Sequence, residues 1–163
     1  MFRYILFLLA LIVLSFAVAS KFIGHNKKVD VRYKTFSIYL NENFHFEIPL
    51  KQHYFCIVEI STCEACVNSA LKSIKELSFD SNSTIIVSKD NNNLFDDEIN
   101  SIPYGKIIID SIGNLKSLDL GKGIRIIQTN ESNIDSIYSF NARNMNEFDL
   151  FLKKLAMQKL SKF

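Results

Sequence analysis

Two cysteines separated by two residues are the side chains in this sequence whose type and spacing best suit covalent chemistry. Cys63 and Cys66 follow the apolar run 54–60, which places apolar residues on both faces and so predicts a central strand covered by helices on two sides. From position 67 to about position 77, apolar residues recur at helical spacing. The pair therefore lies where a buried strand leads into a helix N-terminus, and there unpaired N–H groups and the helix dipole stabilise a thiolate.

The spacing places Cys66 one helical turn after Cys63 and on the same side, close enough to close a disulfide ring. We expect a lowered pKa for the Cys63 thiol and redox chemistry of the two thiols. A fixed structural disulfide stays open as the alternative. Glu64 suits the first turn of the helix but opposes a neighbouring thiolate, so it predicts a less oxidising dithiol, a reductant more than an oxidant.

An acidic residue, Glu59, interrupts the apolar strand on the face of Phe55 and Ile57. If its carboxyl group is buried, its pKa is raised and it can move a proton to or from Cys66 during exchange. The alternative is that Glu59 lies at the strand end and reaches solvent. We include Glu59 with the two cysteines as a candidate catalytic residue.

The third cysteine, Cys56, is expected to pack in the core, since free cysteine is among the most buried residue types. Together with His53, Cys63 and Cys66 it would also supply three cysteines and one histidine for zinc. The six residues between the two pairs are fewer than zinc modules use, and they look like a strand. We therefore predict no metal and no cofactor, and the sequence has no serine–histidine–acid or glycine-rich phosphate pattern.

The N-terminal segment predicts export. Residues 4–20 are uncharged and apolar, and residues 17–19, Ala-Val-Ala, fit a signal-peptide cleavage site. We predict a signal peptide or, if uncleaved, a membrane anchor over residues 1–20, a tether over 21–30 and one domain over 31–163. The basic residues after the run favour a cytoplasmic location, but long domains are exported largely regardless of such bias. The expected location is extracytoplasmic, in the periplasm or cell envelope.

Composition limits the remaining classes of protein. The chain has 163 residues, of which 48% are hydrophobic, enough for a packed core. Its net charge is +2 and its lysines are scattered, so no basic stripe predicts a nucleic-acid partner.

Other elements complete the order. Residue alternation predicts an edge hairpin formed by 31–40 and 44–48 and ended by Pro49. The β-branched run 84–88 after the helix implies a parallel crossover. The remaining predicted elements are a short helix near 94–99, a strand at 106–110, antiparallel strands at 124–129 and 134–140, and a terminal helix that begins near Asn144 or Asn146.

This order of strand, Cys-x-x-Cys helix, strand, linking segment, hairpin and terminal helix resembles the thioredoxin-like fold over about residues 36–160. With its export segment, the chain is similar to the exported or membrane-anchored thiol-disulfide oxidoreductases and the peroxiredoxin-related redoxins. The resemblance implies an α/β fold of three layers with a mixed sheet flanked by helices. It also implies Cys63 as the attacking and Cys66 as the resolving cysteine, a protein disulfide as substrate and an upstream thiol donor. Thioredoxins keep an acid on this strand six residues before the first cysteine, whereas Glu59 is four before it.

The sequence departs from the family in two ways. It has no tryptophan, so Ser61-Thr62 stands where the family has a tryptophan before the motif, and it has only two prolines, whereas the family places a cis-proline opposite the motif. Either Pro103 leads into that facing strand at 106–110, or 106–110 is an insertion and 124–140 is the terminal hairpin, with Gly123-Ile124 in the place of proline. We prefer the second, because the terminal helix should directly follow the hairpin. Substrate gripping is then weakened or achieved differently.

Two functions therefore stay open. One is an extracytoplasmic thiol-disulfide oxidoreductase, and the other is a non-catalytic thioredoxin-like binding module of the cell envelope with a structural disulfide. A one-cysteine peroxidase is less consistent, because no proline- and threonine-rich segment leads to the cysteine. A buried Cys63, or cysteine side chains that point apart, would exclude the oxidoreductase.

Overall fold

The computed structural model describes residues 30–76, 82–89, 95–102 and 106–160. Within these ranges the chain forms four α-helices, one 3-10 helix and five strands. The elements are α1 Val31–Phe44, β1 His53–Glu59, α2 Glu64–Glu76, β2 Ser83–Ser88, α3 Asp96–Asn100, β3 Lys106–Asp110, the 3-10 helix Asn114–Ser117, β4 Ile124–Asn130, β5 Asn133–Phe140 and α4 Met145–Leu160.

The five strands form one mixed sheet in the order β3-β2-β1-β4-β5. β1 pairs in parallel with β2, and β2 pairs in parallel with β3. On the other side, β4 is antiparallel to β1, and β5 is antiparallel to β4. The apolar run that leads to the cysteines thus forms the central strand, as predicted, and β1-α2-β2 is the predicted parallel crossover.

Helices cover both faces of the sheet. Cys56 and Val58 of β1 project to the face that carries α2 and α4, where they join apolar residues of both helices in one cluster. Phe55 and Ile57 project to the opposite face and pack with the buried side of α1. Because both faces of β1 are covered, the structure confirms the predicted α/β fold with helices flanking a mixed sheet.

The predicted hairpin over residues 31–48 is wrong, since residues 31–44 form the single helix α1. Its fully buried residues, Phe36 and Leu40, lie four positions apart on one helical stripe with Tyr33, whereas Ile38 is exposed. A strand would have placed Phe36, Ile38 and Leu40 on one face. The β-branched and aromatic residues of this segment favour strands only weakly, and the burial available against β1 outweighs that preference.

Both ends of α1 carry signals that explain where it begins and ends. The Asp30 side chain accepts a hydrogen bond from the Arg32 N–H at 2.9 Å and so caps the N-terminus. At the other end, His45 has a positive φ of 50°, and its N–H donates to the Asn41 carbonyl at 3.0 Å. Residues 41–43, which would join the two strands of the predicted hairpin, are therefore part of the last turn of the helix.

The two proposed positions of the facing strand are resolved by the topology. β3 pairs with β2 at the parallel edge of the sheet, away from β1. β4 and β5 form an antiparallel hairpin beside β1, with Glu131 and Ser132 at positive φ in the tight turn between them, and α4 follows. The preferred arrangement is therefore the observed one, with 124–140 as the terminal hairpin and residue 123 at its start.

The predicted signal or anchor segment 1–20 and most of the tether 21–30 lie outside the described residues, as does Pro103. Among the residues that the structure does describe, no helix has the length and apolar character needed to cross a membrane.

Candidate active site

The turn between β1 and α2 is fixed by Thr62. Its N–H and its hydroxyl both donate to the carbonyl oxygen of Glu59, at 3.3 and 2.8 Å. Cys63 follows directly, and its own carbonyl accepts the first hydrogen bond of the helix, from the Val67 N–H at 3.0 Å. Four residues, 60–63, therefore connect the end of β1 to the start of α2, and Cys63 is the N-cap residue of the helix.

The two sulfurs of the motif face each other and differ in access to solvent. Cys63 is exposed, whereas Cys66 is only 4% exposed and belongs to the core cluster beneath α2. The Cys66 N–H donates to the Cys63 Sγ at 3.3 Å, so the sulfur occupies the place of an N-cap oxygen. Both cysteines are free thiols. Neither condition that would exclude an oxidoreductase is met.

Hydrogen bonding separates the acidities of the two thiols. The pKa of Cys63 lies below its ordinary value, chiefly because the Cys66 thiol donates a hydrogen bond to it and secondly because the Cys66 backbone N–H does so. The pKa of Cys66 lies above its ordinary value, because its thiol is the donor in that bond and because it is buried. Cys63 therefore ionises first, while Cys66 keeps its proton.

Glu59 is buried, with 2% of its surface exposed, so the alternative that it reaches solvent is wrong. One carboxylate oxygen pairs with the Arg125 guanidinium, with 2.7 Å between Oε1 and Nη1. The other accepts the Gly123 N–H at 2.7 Å. A role for Glu59 in moving a proton stays a prediction.

Sequence reasoning missed Arg125, which is fully buried on β4. Its position across from Ile57 puts it on the same sheet face as Glu59. The available signal was a single charge inside the apolar run 124–127, matched by a single opposite charge on another buried strand. Two such interruptions on buried strands predict an ion pair, because an unpaired buried charge is costly.

Gly123, at the start of β4, lies beside the turn that leads to Cys63. A Cβ on this glycine would stand 3.5 Å from the Thr62 Cγ2, which is ordinary van der Waals contact. Its φ of +77° is one that glycine adopts freely and that proline, fixed near about −65°, does not reach. Residue 123, which the resemblance predicts to stand where a proline is expected, is thus near the motif but has a backbone conformation that proline does not adopt.

The remaining candidate ligands do not assemble with the motif. Cys56 is buried on the α2 face, and burial raises the pKa of its thiol to about 12, which fits a packing role. The His53 ring packs with Phe55 on the opposite face, and its Nε2 lies 2.9 Å from the Thr84 hydroxyl. In the described part of the chain, no three histidine, cysteine or acidic side chains come together as a metal site.

Comparison with known proteins finds a distant likeness in fold. No protein-family model matches the sequence, and no curated protein matches it. Among solved structures, the chain is similar to the solution structure of an uncharacterized thioredoxin-like protein from Porphyromonas gingivalis. The TM-score is 0.41 and the identity 14%, over 69% of this chain and 80% of that one. Likeness at this level says nothing about the chemistry of the site.

Proposed function

We propose that this protein is a thiol-disulfide oxidoreductase that reduces disulfides in partner proteins. The observation that carries the proposal is the geometry of the pair: an exposed Cys63 sulfur at a helix N-cap, with Cys66 buried next to it and donating to it. Dithiol exchange needs two groups: an exposed thiolate that attacks the substrate disulfide, and a protonated second thiol that attacks only after the mixed disulfide has formed.

The reaction runs in two balanced steps. The Cys63 thiolate attacks one sulfur of the partner disulfide, a mixed disulfide forms, and the other partner sulfur leaves as a thiolate that takes a proton from solvent. Cys66 then gives its proton to solvent and attacks the Cys63 sulfur, which closes the Cys63–Cys66 disulfide and releases the second partner sulfur as a thiolate that takes a proton from solvent. Two electrons pass to the partner, and an external thiol donor must later reduce the protein.

The direction of exchange and the location are further parts of the proposal. Glu64 is exposed in the first turn of α2, where its charge opposes the neighbouring thiolate and so favours the reducing direction. The apolar run 4–20 and the cleavage-like residues 17–19 support an extracytoplasmic place in the cell envelope, reached through a signal peptide or anchor.

Trapping of the mixed disulfide tests the proposal. A Cys66→Ser variant cannot complete the second step, so it should accumulate a covalent complex with a disulfide-containing protein that disappears on reduction. Cys63→Ser should form none, and Cys56→Ser, with Cys66 intact, should turn over like the unaltered chain. Absence of any Cys63-linked complex would contradict the proposal.

The reduction potential separates this function from a binding module with a fixed disulfide. An exchangeable pair should lie near or above roughly −270 mV, whereas a structural disulfide lies below about −300 mV. A value in the lower range, together with no trapped complex, would favour the non-catalytic module.

A further inference from the structure

The Thr62 side chain makes the shorter of two hydrogen bonds to a single carbonyl oxygen. The hydroxyl of Thr62 donates to the Glu59 carbonyl at 2.8 Å, and the N–H of Thr62 donates to the same oxygen at 3.3 Å. A distance of 3.3 Å is long for an N–H donor, whereas 2.8 Å is ordinary for a hydroxyl, so the hydroxyl bond is the stronger one. The turn that precedes Cys63 is therefore held mainly by a side chain.

The other branch of the Thr62 side chain is also in contact with the protein. A Cβ on Gly123 would stand 3.5 Å from the Thr62 Cγ2, so the methyl group faces the residue that precedes β4. A β-branched side chain has few χ1 rotamers, and here each branch has its own neighbour. The rotamer that satisfies both neighbours directs the hydroxyl to the Glu59 carbonyl.

The groups that stabilise a Cys63 thiolate lie immediately after this turn. The Cys66 thiol contributes most to lowering the pKa of Cys63, the Cys66 N–H follows, and the Ala65 N–H adds a smaller contribution. An N-cap side chain reaches such N–H groups only if the cap residue has a non-helical backbone conformation. The position of the Cys63 sulfur therefore depends on the turn that Thr62 holds.

We propose that Thr62 is a positioning residue for the nucleophile, whose hydroxyl holds the 59–62 turn in the conformation that places the Cys63 sulfur on the first N–H groups of α2. The inference deepens the proposed oxidoreductase function and rests on it. The family that the sequence resembles has a tryptophan at this position, and tryptophan has no hydroxyl to make the bond. Serine meets the requirement, whereas valine has the shape of threonine but lacks the donor.

Alkylation of Cys63 across pH tests the inference in the full chain. The rate constant with iodoacetamide is measured at Cys63 by mass spectrometry. In Thr62→Val the midpoint should move upward and the rate constant at pH 7 should fall about two- to fivefold, because part of the free energy of one hydrogen bond is lost at the sulfur. Thr62→Ser keeps the hydroxyl and should behave like the unaltered chain. An unchanged midpoint in Thr62→Val, or an equal rise in Thr62→Ser, would overturn the inference.

Thr129→Val is a matched control. The substitution is the same, and it removes a hydroxyl bond to a carbonyl of the same strand, from Thr129 Oγ1 to His53 at 3.4 Å. His53 is the first residue of β1, at the end opposite to the motif. The midpoint for Cys63 should not change in this variant. An equal rise in Thr129→Val would mean general loosening of the sheet and would overturn the inference.

A second background tests whether Thr62 acts through the backbone N–H groups. In Cys66→Ala the thiol donor is absent but the N–H contributions remain, so adding Thr62→Val should raise the midpoint above that of Cys66→Ala alone. No further rise would overturn the inference.

Thr62→Ala replaces Thr62→Val if the valine variant fails to fold, since it also removes the hydroxyl, and the same rise is expected relative to Thr62→Ser. An unchanged midpoint in Thr62→Ala would overturn the inference. A different pair of results separates the two proposals. If Cys66→Ser traps no partner protein while Thr62→Val still raises the midpoint, the proposed function is refuted and the effect of Thr62 on the Cys63 sulfur is confirmed.

Discussion

At the scale of single residues, the different roles of the two cysteines follow from the hydrogen bonds between them. The Cys66 thiol and N–H both donate to the Cys63 sulfur, so the outer thiol becomes more acidic and the inner one less so. A thiolate forms at lower pH at Cys63 than at an ordinary cysteine, and the nucleophile is available where most thiols are protonated.

Alkylation of Cys63 should reflect this acidity. Its rate should rise with pH and level off above the pKa, with a midpoint below the free value of about 8.5. In Cys66→Ala the largest lowering contribution is lost, so the midpoint should move upward, while the backbone N–H keeps part of the effect. Iodoacetamide labelling followed by mass spectrometry across pH measures both, and an unchanged midpoint in the variant would contradict the assignment.

Glu64 should tune the reduction potential in a known direction. In Glu64→Gln the carboxylate that opposes the Cys63 thiolate is gone, so the reduced form is stabilised and the pair becomes more oxidising. Since the side chain is exposed and screened by solvent, the shift should be on the order of 10 mV upward. Equilibration with a glutathione buffer measures it, Lys72→Gln on the exposed side of the same helix is the control, and a downward shift would contradict the argument.

At the scale of elements, α1 is the part of the fold that the sequence pattern misrepresents. Phe36 is fully buried and meets Phe55 edge-on at 5.0 Å between ring centroids. Helical spacing was present at positions 33, 36 and 40, but alternation of β-branched and aromatic residues matched a strand as well. Helix and strand are distinguished only by the apolar face of β1, which a helix at this position buries.

Two alanine substitutions distinguish the helix from the hairpin. Phe36→Ala should lower the free energy of unfolding by about 3–5 kcal/mol, the usual cost of removing a buried aromatic ring. Ile38→Ala, at a position 45% exposed, should cost less than about 1 kcal/mol. Urea unfolding measures both, and similar losses at the two positions would indicate the strand arrangement.

The ion pair between Glu59 of β1 and Arg125 of β4 should affect stability as a unit, so that replacing one residue costs more than replacing both. Removing Glu59 alone, as Glu59→Ala, leaves Arg125 buried without its counter-charge and should destabilise the fold by about 3–5 kcal/mol. Replacing both residues, as Glu59→Leu with Arg125→Met, should be close to neutral, since neither charge remains to be desolvated. Urea unfolding of the single and double variants tests this, and a double variant less stable than the single one would contradict it.

At the scale of the whole molecule, secondary structure could be predicted from the sequence wherever the spacing of apolar residues and the turn residues indicated the same element. β1, α2, β2 and the β4–β5 hairpin were predicted in their places because burial pattern and local preference point the same way there. The partnership of Glu59 with Arg125 was not predicted, because 66 residues separate the two and only the sheet register brings them together. Burial of Cys66 next to an exposed Cys63 depends likewise on packing of the helix against the sheet.

Export of the chain is a prediction for the intact molecule. A reporter phosphatase that is active only outside the cytoplasm, fused after residue 163 and expressed in bacteria, should be active, because the apolar run 4–20 would direct the chain across the membrane. Deletion of residues 2–20 should abolish the activity without lowering the amount of protein. Equal phosphatase activity with and without that segment would contradict an extracytoplasmic location.

The burial of the Cys66 sulfur has a consequence for the order in which substrates react. Of the three cysteines only Cys63 is exposed. Under the proposed function, the disulfide substrate and the thiol donor that later reduces the protein must therefore both react at the Cys63 sulfur. The substrate and the thiol donor cannot bind at this sulfur together, so the two half-reactions alternate in ping-pong order. An excess of either one should slow the reaction of the other.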